Sequence, residues 1–152
     1  MKNESAIKMW TAFTAEHPEI TSDFDAWSFG ANPQMADSLA NLVLKRKKTA
    51  TASNYALYGL TNMPLPHVGD YSVILNGHQQ AVAIIRTTAV NVVPFCDVSA
   101  DHAYAEGEGD RTLAYWRKVH EKFFTQELAA AQQPFTDQSL VLLERFALLY
   151  HD

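Results

Sequence analysis

Apolar positions follow two rhythms in this chain, and the rhythm changes at LVLKRKKTATAS, residues 42–53. Before the change, Leu39, Leu42 and Val43 sit at helical spacing. They predict a helix over 35–47, with Asp37 in its first turn and bases in its last. After it, Thr49, Thr51 and Ser53 alternate with Ala50 and Ala52, the two-residue period of a strand over 49–53. Three hydroxyls would then project from one face and two methyls from the other.

The same reading runs along the rest of the chain. Ala6, Met9, Trp10, Phe13 and His17 form one stripe of a helix over 4–16, ended by Pro18. Residues 19–34 read as irregular, with Trp27 and Phe29 sealing a core edge or stacking on a ligand. Residues 54–69 read as a loop punctuated by Pro64, Pro66 and Gly69, with Tyr55 and Tyr58 in it. A strand over 71–75 meets Asn76-Gly77, a two-residue hairpin signal. The return run, 80–95, is rich in β-branched residues and too long for one straight strand. Arg86 interrupts its apolar stretch and calls for a carboxylate partner, Glu144 being the candidate, or for a ligand phosphate or carbonyl. Ser99 caps a short helix ending at Glu106, which places His102 and Glu106 on one face. Gly107 and Gly109 break the chain, and Asp110 caps a helix over 111–129. Its inner stripe is Leu113, Trp116, His120, Phe123 and Phe124, where a histidine is ordinarily a hydrogen-bonded core residue. The run 139–150 is apolar on both faces apart from Glu144 and Arg145, as a central strand is. Helices at both ends of antiparallel-looking strands predict an α+β domain with a small barrel or strongly curved sheet.

Composition narrows the function classes. The 152 residues suit one domain, 47% hydrophobic and 19% charged, an ordinary soluble balance. No apolar run reaches the ~20 residues of a membrane helix, and MKNESAIKMW lacks a signal-peptide core, so a cytoplasmic location is expected. Cys96 stands alone, which excludes an internal disulfide and leaves a zinc site without thiol partners. A net charge of -5 argues against broad coating of nucleic acid but allows a local basic pocket. Lys45, Arg46, Lys47 and Lys48 supply four of the 12 Lys and Arg. Bases at a helix end are commonly a solvated, dipole-compensating cap. Lysine beside a hydroxyl row can also hold a phosphate or carbonyl oxygen, or activate a nucleophile.

Seven segments together resemble the ASCH family, whose domain is a small PUA-like β-barrel, and within it the bacterial subfamily of roughly 150 residues. They are WSFG (27–30), ADSLANLVL (36–44), KTATAS (48–53), PLPHVGDYSVIL (64–75), AIIRTTAVNVVPF (83–95), VSADHAYAEGEGDRTLAYWRKVHEKFF (98–124) and ERFALLY (144–150). One departure is Arg46, where the subfamily usually has glycine. The resemblance implies an ASCH-type domain over 1–152, flanked by helices, with 1–34 as a helical extension packed on the barrel. It also implies a cleft facing RNA or a modified nucleoside. Short members with a KTxT corner hydrolyse the amide of N4-acetylcytidine, and carry-over of their residues makes Lys48, Thr51 and Glu106 catalytic. Some longer members are ribonucleases acting on single-stranded RNA with a divalent metal.

Amide cleavage needs a nucleophile, a base and a proton for the leaving nitrogen. Lys48 as amine would deprotonate Thr51 or a water, Glu106 would deliver the proton, and Arg86 or backbone N–H groups would hold the oxyanion. On an ideal strand Lys48 points away from Thr51, so it must belong to the turn. Thr49, Ser53, Trp27, Tyr55, Arg111 and Trp116 complete the expected ligand contacts. The hydrolase reading needs no cofactor. The ribonuclease alternative would use Lys48, Arg86 and Arg111 on phosphate and a metal at Glu106, Glu108, Asp110 and His102. A third alternative is a non-catalytic RNA- or nucleotide-binding module, with Trp27, Tyr55, Tyr58 and Trp116 stacking on bases. A monomer or homodimer is equally compatible with the sequence.

Overall fold

A computed structural model describes residues 3–152. Its elements are α1 (Glu4–Glu16), β1 (Phe24–Trp27), α2 (Pro33–Leu44), β2 (Ala50–Asn54), α3 (Tyr55–Leu60), β3 (Tyr71–Leu75), β4 (Ala81–Pro94), α4 (Ala100–Glu106), α5 (Leu113–Ala130) and β5 (Leu140–His151), with a 3-10 turn at Phe95–Asp97. The strands form one mixed sheet in the order β1-β3-β4-β5-β2. The architecture is α+β, as the sequence predicts.

The spine is the antiparallel pair of β4 and β5, 14 and 12 residues long. Register shifts between Ile84/Ile85 and Thr87/Ala89 bend it, the usual work of bulges. β3 adds along the first half of β4, and β2 along the first half of β5. No pair joins β1 to β2 among the described residues, so the sheet stays open where a barrel was expected. The approach to β2 is occupied instead: the Thr49 N–H donates to the Ala105 carbonyl of α4 at 2.7 Å.

Three apolar clusters fix the layers. Ala6, Met9 and Phe13 of α1 pack on Val73, Leu75 and Ile84. Phe29, Ala40 and Val43 pack on Ile74, Ala83, Ile85 and Phe146. Phe95, Val98, Ala103, Trp116 and Phe124 pack on Val141, with Ala52 and Leu143 alongside. Hence Ala52 faces α4 and α5, while Thr51 and Ser53 face the opposite side of the sheet.

Several elements differ from expectation for local reasons. β1 lies inside the stretch read as irregular; four residues carry no readable period, and parallel pairing with β3 makes the strand. α3 is likewise a single short helix in the expected 54–69 loop. The Asn76-Gly77 turn is longer than two residues, since Asn76 N–H donates to Gln80 O and Gln79 takes the left-handed φ of 61°. Gly77 serves close approach, because a Cβ there would meet the Pro33 carbonyl oxygen at 2.3 Å. Thr112, rather than Asp110, caps α5 by accepting from Tyr115 N–H. Asp110 accepts from Thr112 N–H and Oγ1–H instead.

α2 starts at Pro33, with Asn32 accepting from Met35 N–H, and ends at Leu44. The four bases therefore lie beyond the helix. Lys47 N–H donates to Leu42 O and Arg46 N–H to Val43 O, the Schellman closure. Arg46 holds its left-handed residue, φ 61°. Glycine is at ease in that conformation, which accounts for the subfamily's usual residue. The departure keeps the turn and adds a charged side chain to it. No helix is long and apolar enough to cross a membrane among the described residues.

Candidate active site

The Schellman turn throws Lys48 inward, at the point where the chain enters β2. Lys48 is 2% exposed, an unusual place for an ammonium. Its Nζ donates to Glu108 Oε2 at 2.9 Å and to Glu106 Oε1 at 3.4 Å. The lysine also crosses the ring of Phe29, with Nζ 5.3 Å from the centroid. The 58 residues separating Lys48 from Glu106 are closed by Gly107, which ends α4 at φ 75° against the Lys47–Lys48 peptide. A Cβ there would meet the Lys47 carbonyl oxygen at 2.3 Å. Only glycine permits this approach.

Glu106 is 1% exposed and fully engaged. Its Oε2 accepts from the Trp116 indole N–H at 2.6 Å and from His102 Nε2–H at 2.8 Å. Its Oε1 faces Lys48 and, at 3.5 Å, His120 Nε2. Burial alone would raise the Glu106 pKa. The Lys48 charge and the bonds from His102 and His120 outweigh it and hold the carboxyl well below its usual range. An ionised carboxylate only accepts, so His102 carries its proton on Nε2. His120 donates Nδ1–H to the Trp116 carbonyl at 2.9 Å. Burial pulls the His120 pKa down, but the bond and charge of Glu106, with the charge of Glu108, raise it overall. Such an imidazolium can donate from both nitrogens. The environment of Glu106 thus favours the charged form, which accepts hydrogen bonds. Glu108, with 17% of its side chain exposed, is where this cluster meets solvent.

The other expected residues divide sharply. Thr51 lies on β2 directly across from Glu144 of β5, so both side chains share a face. Ser53, two residues on, hydrogen-bonds the Tyr58 hydroxyl at 2.8 Å. Thr49 spends its hydroxyl on the Ala105 carbonyl at 3.3 Å. Arg86 is exposed on the α1 side, its guanidinium 5.7 Å from the Tyr71 ring, because strand alternation turns it away from Thr87 and Glu144. The expected Arg86–Glu144 pair does not form, and Arg86 cannot serve an oxyanion at Thr51. Arg111 stacks on Tyr104 at 3.6 Å and donates to the Tyr104 and Lys47 carbonyls, clamping the corner. Trp116 is sandwiched between Phe95 and His120 at 5.4 and 4.2 Å, leaving no face for a base. Trp27 packs edge-on against Phe29 at 4.7 Å, on the sealing side of its two readings. Tyr55 is half-buried at the start of α3.

The ligand atoms of Glu106, Glu108 and His120 lie within 4.8 Å of one another, the one metal-competent grouping among the described residues. Asp110 and His102 do not join it. The Lys48 ammonium already bonds two of its three members, and the third faces the same carboxylate as a donor. The set does not fit a divalent cation while Lys48 is in place.

The family model for the ASCH domain matches residues 25–150. The chain belongs to the ASCH family. The family is associated with RNA. The crystal structure of an ASCH domain from Lactobacillus crispatus JV V101 is similar at TM-score 0.93 and 31% identity, covering 98% of this chain and 96% of that one. Protein EF3133 from Enterococcus faecalis V583 is similar at TM-score 0.89 and 36% identity, covering 96% of this chain and 88% of that one. The hypothetical protein PH0355, 13% identical at TM-score 0.53 over 82% of this ASCH chain and 99% of its own, shares the fold alone. No curated protein matches.

Proposed function

We propose that this protein is an amidohydrolase that removes the acyl group of N4-acetylcytidine-type nucleosides. One observation carries the reading: a buried lysine at the KTxT corner held between two carboxylates, one of which is itself locked by Trp116, His102 and His120. Nucleophile, base and a third group orienting the base is the arrangement covalent acyl transfer requires. Thr51 is the nucleophile, and Lys48, as amine, takes its proton. Glu106 orients Lys48 and steadies its ammonium form. Glu108 at the solvent edge first relays the resting ammonium's proton outward, which leaves Lys48 the amine. The lysine stem crosses Phe29, which packs on Phe146 at 6.1 Å, and Phe146 shares a face with Glu144 and Thr51. Buried cluster and hydroxyl row thus adjoin through two aromatic rings. Lys48 must swing from its carboxylates toward Thr51 for the chemistry.

The Glu106–Glu108–His120 grouping favours a second reading, the metal-dependent ribonuclease. It requires Lys48 to vacate its place. Purified protein incubated with N4-acetylcytidine should release cytidine, undiminished by chelator, and Lys48→Ala should not. No release at high enzyme concentration would sink the deacylase. Cleavage of single-stranded RNA that stops in chelator would establish the ribonuclease instead. Saturable RNA or nucleoside binding without turnover would leave a binding module.

A further inference from the structure

We propose that Glu144 is the general acid of this reaction, delivering the proton to the nitrogen that leaves. The proposal rests on the amidohydrolase reading and supplies a role that reading leaves open. Glu106 has four donors around an ionised carboxylate and no proton to give. Glu144 is its opposite. It sits across the β2–β5 ladder from Thr51, at a separation of ~4.5–5.5 Å between Cβ atoms. Most of its surface is covered, and no cation pairs with it among the described residues. The Thr87 side chain lies diagonal to it on the same face.

The groups facing it come from each packed element. Asp70, before β3, and Tyr58 of α3 lie within electrostatic range, Thr87 comes from β4 and Thr51 from β2. None of these is a cation. Burial first, then the charge of Asp70, push the Glu144 carboxyl up to about 6, against the lowering effect of Thr87. A half-buried carboxyl with that environment, beside the nucleophile, is what proton delivery near neutral pH needs.

The atoms balance as follows. Lys48 takes the Thr51 hydroxyl proton while the oxygen adds to the acyl carbon. The C–N bond of the tetrahedral adduct then breaks and its electron pair stays on N4. The Glu144 proton goes to N4, giving the amino group of cytidine, and the oxyanion pair re-forms the carbonyl. Water next adds to the Thr51 ester as its proton returns to the Glu144 carboxylate. Thr51 oxygen leaves, taking back the proton from Lys48, and the free acid departs.

The test compares wild type, Glu144→Gln and Glu144→Asp on N4-acetylcytidine and on 4-nitrophenyl acetate, whose phenolate leaves without a proton. Glu144→Gln should lose roughly 10²- to 10⁴-fold on the amide, the usual worth of a positioned acid, and less than tenfold in the first-turnover release of nitrophenolate from the ester, the step before water enters. The wild-type amide rate should fall as pH rises through about 6, and Glu144→Gln should lack that limb. Glu144→Asp should keep the limb at a reduced rate, which guards against misfolding of the glutamine variant. Amide turnover by Glu144→Gln within tenfold of wild type, a retained limb, or an equal loss in the ester's first-turnover release of nitrophenolate would overturn the proposal. A wild type that releases no cytidine would instead remove the deacylase reading, and this one with it.

Discussion

Two carboxylates on this molecule have been given opposite environments. Glu106, on α4, is buried among a lysine, two histidines and an indole, all pointing donors at it. Glu144, on β5, is half-buried beside hydroxyls and another carboxylate. Burial opposes ionisation in both, but only Glu106 has the charges and donors to reverse it. Environments that drive two carboxyl groups apart are how one protein obtains both a fixed negative charge and a usable acid. The difference teaches that covered area alone says little about a carboxyl's state; the sign of its neighbours decides.

The largest break in this comparison should come from Lys48→Met. It strands Glu106 without its cation, at a cost of about 3–5 kcal/mol, with turnover abolished. Lys48→Met with Glu106→Gln should recover more than half of that stability in urea denaturation. Recovery of none would mean the cluster is not an electrostatic unit. Next, Trp116→Phe removes one donor from Glu106 and should cost about 1–3 kcal/mol.

Glu144 predicts the reverse sign. Its folded pKa of about 6 lies above the ordinary 4.5, so the folded state holds the proton more tightly. Its ionisation therefore weakens folding as pH rises from about 4.5 to 6. Glu144→Gln should gain about 1–2 kcal/mol above pH 6, read as a higher melting temperature, while losing turnover. Glu106 contributes stability present above 4.5 and lost as pH falls through its depressed value. His120 contributes stability present below 6.5 and lost as pH climbs through its raised value. His120→Asn should flatten the decline in melting temperature above pH 6.5. Smallest of all, Arg46→Gly should relieve a left-handed residue and add about 0.5–1 kcal/mol.

The sequence made the long periodic elements legible, α1, α5 and the β4–β5 pair among them, and the family resemblance singled out Lys48 and Glu106. What it could not show depends on distance and register. Glu144 faces Thr51 through the register of β2 on β5, and lies diagonal to Thr87 where the β4–β5 ladder shifts between Thr87 and Ala89; no local pattern announces either. The same alternation sends Arg86 to the far face. Trp116 and His120 were visible as a helical stripe, but an apolar stripe conceals which polar atoms find partners. A signal did exist: a histidine and an indole four apart, both with N–H groups to satisfy, on the helix that follows the acidic segment. Arg46 makes the opposite point, since a single unusual residue type hid an ordinary helix ending.

The short bond from the Trp116 indole to Glu106 also gives the centre a voice of its own. An indole whose N–H points at a fixed charge fluoresces in the field of that charge. With Trp10 and Trp27 replaced by phenylalanine, the remaining emission colour would follow the charge on Glu106 and the presence of the Lys48 ammonium. Ligand entry, acidification and loss of the lysine could then be watched optically, without a label and without turnover.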